Sequence, residues 1–212
     1  MNSLVCALSH CNDNQFERIH IAHVIDTDEH LAALIDALHK QIGSLIYLRL
    51  YLIVMGRIGV TSFANFLKNP ASRIESLQLG DNSLDDEYTS ILVDALLSSN
   101  SLRKLYVCGN STFSTAAGWS IFCSILAHPM CTLEYLQILV ADIGDEGIEY
   151  LGDALADNTS LKFLRVDDEQ SSTSAGWQEF SNCLRNPNSA LQVLDISGWR
   201  AMDKVVVAVT FV

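Results

Sequence analysis

The sequence predicts an α/β solenoid, with a parallel sheet on its concave face and helices on its convex face. Three observations carry the prediction. A short apolar pattern, Leu45-x-x-Leu48-x-Leu50 in one copy, occurs seven times, with central residues 28 to 31 apart. The stretch Gly176-Trp-Gln-Glu-Phe-Ser-Asn-Cys-Leu-Arg-Asn-Pro187 has two relatives, at 118–129 and 59–70. The chain's three prolines, Pro70, Pro129 and Pro187, end these stretches, 59 and 58 residues apart. Self-similarity at a fixed period marks a repeat architecture. Its units stack, so the length of 212 residues does not count domains.

Residues 1–15 read as an irregular segment before the repeats. Strands follow at Phe16-x-x-Ile19-x-Ile21, Leu45-x-x-Leu48-x-Leu50, Ile74-x-x-Leu77-x-Leu79 and Leu102-x-x-Leu105-x-Val107. They continue at Leu133-x-x-Leu136-x-Ile138, Leu161-x-x-Leu164-x-Val166 and Leu191-x-x-Leu194-x-Ile196. The alternation at the end of each unit is that of a short strand. Between them lie helices of two alternating kinds. One spans 25–38, 84–96 and 143–155; there Ile148, Leu151 and Leu155 share a helical face. The other is the proline-ended stretch, where Phe63 and Leu67, Phe122 and Leu126, and Phe180 and Leu184 stand four apart. The terminal proline cannot continue the helix and biases its predecessor toward extended backbone. Trp119 and Trp177 follow the glycine of this stretch and read as packing anchors, replaced by Val60 in the third copy. The repeat domain spans 16–198. Residues 199–212 match neither helix kind. Their apolar run from Val205 reads as a makeshift cap, a dimer contact or, preferably, the edge of an incomplete product.

A strand, a helix and a return cannot bury their apolar face alone, so the units must stack. Helices are roughly 10 Å wide and neighbouring strands about 4.8 Å apart. The stack therefore curves with the sheet inside. The pattern resembles the leucine-rich repeat, L-x-x-L-x-L-x-x-N-x-L; the best copy is Ile74-Glu-Ser-Leu-Gln-Leu-Gly-Asp-Asn82-Ser-Leu84. The period and the two alternating helices resemble the ribonuclease-inhibitor subclass, which includes NOD-like receptor repeats and the Ran GTPase-activating protein. The resemblance implies a horseshoe of six to seven repeats. The family's asparagine position holds Val24, Ile53, Asn82, Asn110, Ala141, Glu169 and Trp199. The turns near 53 and 169 are thus expected to be irregular.

The net charge of −12 disfavours nucleic-acid binding, which is driven by cations on phosphates. It suits a basic protein partner, or solubility alone. The six cysteines form no C-x-x-C pair, and the N-terminus has no secretory pattern, so reduced packing cysteines and a cytoplasmic location are expected. The sequons at Asn110 and Asn158 then read as chance matches. No segment reaches the length of a membrane span. Five histidines in the first 39 residues, with Cys6 and Cys11, invite a zinc reading that their spacing does not support. Neither a phosphate-binding loop nor a nucleophile elbow is present, and no cofactor is implied.

Candidate binding residues are the strand positions between the leucines, which face the hollow. Tyr47, Tyr51, Tyr106, Tyr135 and Phe163 place aromatics there, with Arg49, Lys104 and Arg165 beside them and Gln78 and Gln137 in the central row. Tyr and Arg dominate interface hot spots. Asp167 and Asp168 are acidic rim candidates, whereas Asp85, Asp86, Asp145 and Glu146 suit helix N-termini. The reading is a non-enzymatic module that binds a protein or peptide on its concave face. Ribonuclease inhibition is one specific form. The resemblance also admits a GTPase regulator, with the loop residue Arg57 as the arginine to test, or a ligand-sensing piece of a larger receptor.

Overall fold

Leu48, Leu77, Leu105, Leu136 and Leu164 have no exposed surface, and each lies in register with the next across a parallel sheet. The computed structural model describes residues 3–23, 25–82, 84–109, 115–140, 143–168, 172–196 and 207–210. The strands are β1 (Arg18–Ala22), β2 (Tyr47–Tyr51), β3 (Ser76–Gly80), β4 (Lys104–Cys108), β5 (Tyr135–Val140), β6 (Phe163–Asp168) and β7 (Val193–Ile196). They run parallel, in chain order. The alternation read from sequence is realised: leucines turn to the core, and the residues between them face the hollow. A further strand, β8 (Val207–Thr210), pairs antiparallel with β7. Residues 199–206, with Trp199, and residues 211 and 212 lie outside the described residues, and with them most of the segment on which the three readings of 199–212 bear.

The helices are α1 (Ser3–Ser9), α2 (Asp28–Leu38), α3 (Arg57–Lys68), α4 (Asp86–Leu97), α5 (Ala116–Ala127), α6 (Gly144–Ala156) and α7 (Ser174–Phe180), which runs on into a 3-10 turn at Ser181–Arg185. Helices α2 to α7 pack side by side in sequence order, forming the second layer. The segment before the repeats is not irregular throughout. Val5 and Leu8 of α1 are buried in the common core, against α2. Proline endings behave as the sequence implies: Asn69, His128 and Asn186 leave the helical region with ψ of 126°, 131° and 113°. Trp119 and Phe180 are among the largest fully buried side chains.

Each repeat is tied to the next by polar bonds as well as by leucines. Asn82 is fully buried; its Nδ2 donates to the Leu50 carbonyl and its Oδ1 accepts from the Ile53 amide, both at 3.0 Å. The asparagine of one repeat thus serves the turn of the repeat before it. In that turn Leu52 has φ of 52°, a left-handed residue, but this does not set the turn apart from the others. His23, Asp81 and Gly109 adopt the same conformation after their own strands, making it a recurring corner. Val24, Asn110, Ala141 and Glu169 lie outside the described residues.

A second tie explains the glycine of the proline-ended stretch. Gly56, the N-cap of α3, has no side chain to cap the helix. Asp28 of α2 does so from the preceding repeat, accepting from the amides of Gly56, Ile58 and Gly59 at 2.9, 2.8 and 2.6 Å. Asp86 of α4 accepts from the Thr115 hydroxyl at 2.7 Å, and Thr115 caps α5. Asp145 of α6 accepts from the Thr173 amide and hydroxyl at 2.6 and 2.7 Å, and Thr173 caps α7. A Cβ on Gly59, Gly118 or Gly176 would stand 2.6, 2.5 or 2.6 Å from an oxygen of the matching aspartate. The repeated glycine is the space into which the previous repeat's carboxylate enters.

Asp28→Ala leaves three helix-entry amides without their carboxylate and should cost about 1–3 kcal/mol. Asp86→Ala, which removes one hydroxyl contact, should cost less. Urea denaturation of the two variants checks the order; equal losses would show that the clamp does not act through the amides.

Candidate functional site

The hollow side of the sheet is built from three rows of non-core strand residues. The first runs Arg18, Tyr47, Ser76, Lys104, Tyr135, Phe163, Val193; the second His20, Arg49, Gln78, Tyr106, Gln137, Arg165, Asp195. The third runs Ala22, Tyr51, Gly80, Cys108, Leu139, Asp167. Parallel pairing forces this layout, since a slip of one residue would exchange core and surface faces.

Within the rows the aromatic side chains gather into two groups. Tyr106, Tyr135 and Phe163 form a stack, with centroids 5.0 Å apart for the first pair and 4.3 Å for the second, whose planes differ by 2°. Tyr135 donates its hydroxyl to Gln137 Oε1 at 3.0 Å. Toward the other end, Tyr47 donates to Gln78 Oε1 at 2.8 Å and stacks with His20 at 4.8 Å. The Arg18 guanidinium lies 4.4 Å from the Tyr47 centroid, and that of Arg49 5.3 Å from Tyr51. Gly80 leaves room for Tyr51 to lie across the sheet; a Cβ there would sit 2.4 Å from the ring. The groups meet at Gln78, which holds Tyr47 and pairs in register with Tyr106.

Not every residue marked in the sequence is offered to solvent. Asp167 is 5 % exposed, in the rank of a core residue. It lies 3.7 Å from Arg165, whose Nε lies 3.6 Å from Asp195. Arg165 is therefore held among carboxylates of its own face. The side chain of Asp168 lies outside the described residues. Lys104 is exposed on β4. Arg57 opens α3 instead of lying in a loop, and it pairs with Glu87. Arg18 and His20 join the aromatic groups although only their neighbours were marked as candidates. Their strand positions were visible in sequence; their stacking on Tyr47 was not. The early histidines are engaged separately: His23 with Tyr51, His30 with Asp26 and His39 with Phe66. All six cysteines are free, and no helix among the described residues is long and apolar enough to cross a membrane.

The chain is 30 % identical over 153 residues to "NACHT, LRR and PYD domains-containing protein 14" of Mus musculus, an alignment covering 72 % of the chain and 15 % of that relative. It is 30 % identical over 152 residues to the ribonuclease inhibitor of Sus scrofa, covering 72 % of the chain and 33 % of the inhibitor. The repeats are leucine-rich repeats of the ribonuclease-inhibitor type. The chain thus spans no more than a third of these two relatives' lengths. Among solved structures, a tropomodulin C-terminal domain from Caenorhabditis elegans aligns with a TM-score of 0.49 and 14 % identity, covering 87 % of this chain and 90 % of that one. No family model matches the chain.

On this leucine-rich repeat sheet three phenols, those of Tyr51, Tyr106 and Tyr135, are shifted toward their neutral form. Tyr51 is raised above the ordinary tyrosine range by its hydrogen bond to Asp81, whose charge also repels a phenolate. Burial raises Tyr106 and Tyr135, with Tyr47 and Tyr106 adding as their respective neighbours. Burial likewise pushes the Cys183 thiol up to about 11 and raises Cys123 further, as suits packing cysteines.

The neutral form is favoured in the fold, so this contribution to stability is intact below the unfolded value of about 10. It is lost as pH rises through the raised folded values. Denaturation midpoints between about pH 8 and 11 should be flat and then fall. The fall should be shallower in Tyr106→Phe with Tyr135→Phe. An absorbance titration in which every tyrosine of the folded wild type ionises in the ordinary range would contradict this.

Proposed function

We propose that the chain is a non-enzymatic interaction module that takes a protein or peptide on its concave face. The observation that carries the reading is the stack of Tyr106, Tyr135 and Phe163 on the side of the sheet opposite the core. The core is already filled from these strands by Leu105, Leu136 and Leu164. The three rings are half-buried only against their neighbours, and their outer surface is what a partner would cover. Rigid aromatics of this kind, flanked by polar groups, supply contact area at small entropic cost. The similarity to the pig ribonuclease inhibitor suggests one specific form, the inhibition of a ribonuclease. Six free cysteines fit the reducing cytoplasm. A GTPase-regulating role has less to draw on, because Arg57 is paired with Glu87. The expectation of a basic partner draws on the net charge and on the acidic rim of Asp167 and Asp168; Asp167 is buried beside Arg165, and the strand residues of the inner face carry the opposite balance.

Tyr106→Ala combined with Tyr135→Ala removes the centre of the stack and leaves the leucine ladder intact. Capture of partner proteins from a lysate of the source organism should fall by at least about tenfold, the equivalent of one hot-spot contact. Unchanged capture by a variant with an unchanged circular dichroism spectrum would move the binding site off this face.

A further inference from the structure

The sheet face has a charge of its own. Its three rows hold Arg18, Arg49, Lys104 and Arg165 against Asp167 and Asp195, although the chain has 25 acidic and 13 basic residues. Both of those carboxylates lie beside Arg165, at 3.7 and 3.6 Å. Among the described residues no carboxylate pairs with Arg18, Arg49 or Lys104. The nearby acids have closer partners: Glu134 pairs with Lys162 at 2.7 Å and feels Lys104 only through space, and Asp81 accepts from the Tyr51 hydroxyl. A foreign cation would find Tyr47 and Tyr51 already beneath Arg18 and Arg49.

We infer that the segment bound on this face is acidic. It is an extended peptide whose carboxylates reach Arg18, Arg49 and Lys104 while an apolar or aromatic side chain lies on Tyr135 and Phe163. This rests on the concave-face reading and gives the partner its sign. From β1 to β6 the sheet spans five strand spacings, about 24 Å, which roughly seven extended residues cross. The net charge of −12 opposes such a partner at long range. Charges farther than about 8 Å are screened at physiological ionic strength, however. Three of the acids nearest the helix-entry rim, Asp28, Asp86 and Asp145, are occupied by the N-termini of neighbouring helices. At contact distance the unpaired cations decide.

The test is a display library of random peptides about twelve residues long, comfortably more than the roughly seven needed to cross the face. It is panned on the full chain, and binders that fail on Tyr135→Ala are sequenced. These face-dependent binders should be enriched in Asp and Glu over Lys and Arg. A labelled acidic binder should lose at least about tenfold in affinity on Arg18→Glu with Arg49→Glu, and on Lys104→Glu separately. These side chains lie outside the core, and an unchanged melting midpoint verifies folding. Face-dependent binders rich in Lys and Arg would overturn the sign and leave the concave-face reading standing. A library with no binder dependent on Tyr135 would overturn both.

Discussion

A single repeat has a leucine-lined face that only its neighbour can cover, and the rest of the structure follows from that. Leu48 is sealed by its counterparts on β1 and β3, Leu77 by those on β2 and β4, and so along the chain. Burying a leucine contributes about 1.5–3 kcal/mol, so the ladder is the main source of cohesion. It is also indifferent to small rotations between units. The polar ties supply direction. Ser44, Ser101 and Thr132 each donate a hydroxyl to a carbonyl of the preceding repeat, at 2.7, 2.9 and 2.8 Å. At the other end of every second strand, after β2, β4 and β6, the aspartate of one helix enters the glycine gap of the next. These ties hold register at the strand ends, and most residues between the leucines, Asp167 excepted, stand outside the core.

Much of this arrangement was legible in the sequence because period and alternation are local signals. Seven strands, two helix kinds and all three hollow-facing rows follow from where Leu, Phe, Gly and Pro recur. What escaped the sequence depends on contacts between repeats. Gly59, Gly118 and Gly176 are visibly repeated, but nothing local ties them to Asp28, Asp86 and Asp145, some 31 or 32 residues earlier. Helix α1 has seven residues and two buried apolar side chains, too few to show a helical period. Asp167 looks like a rim acid by position, yet its place beside Arg165 at the end of the third row buries it. Arg57 looks like a loop cation until α4 brings Glu87 against it.

The same division separates the chain's charges. Carboxylates near the helix starts meet the positive ends of helix dipoles and the amides that need capping. On the hollow side of the strands cations outnumber carboxylates and stand beside the aromatic rings. Net charge alone therefore describes the outer solenoid better than the surface where a partner would rest. An interaction module of this kind needs no moving parts. Its aromatic groups are held in place by Gln78, Gln137 and each other before any partner arrives, which lowers the entropic cost of binding.

The most direct measurement is site-specific photocrosslinking in a lysate of the source organism, with a benzophenone side chain placed at Tyr135 in one protein and at Tyr150 in another. Tyr135 lies on the sheet and Tyr150 on α6, in the helical layer. Irradiation should yield a discrete protein adduct from position 135 and none of comparable strength from position 150. A discrete adduct from position 150 with none from 135 would place the working surface of this solenoid on its helices and contradict the account.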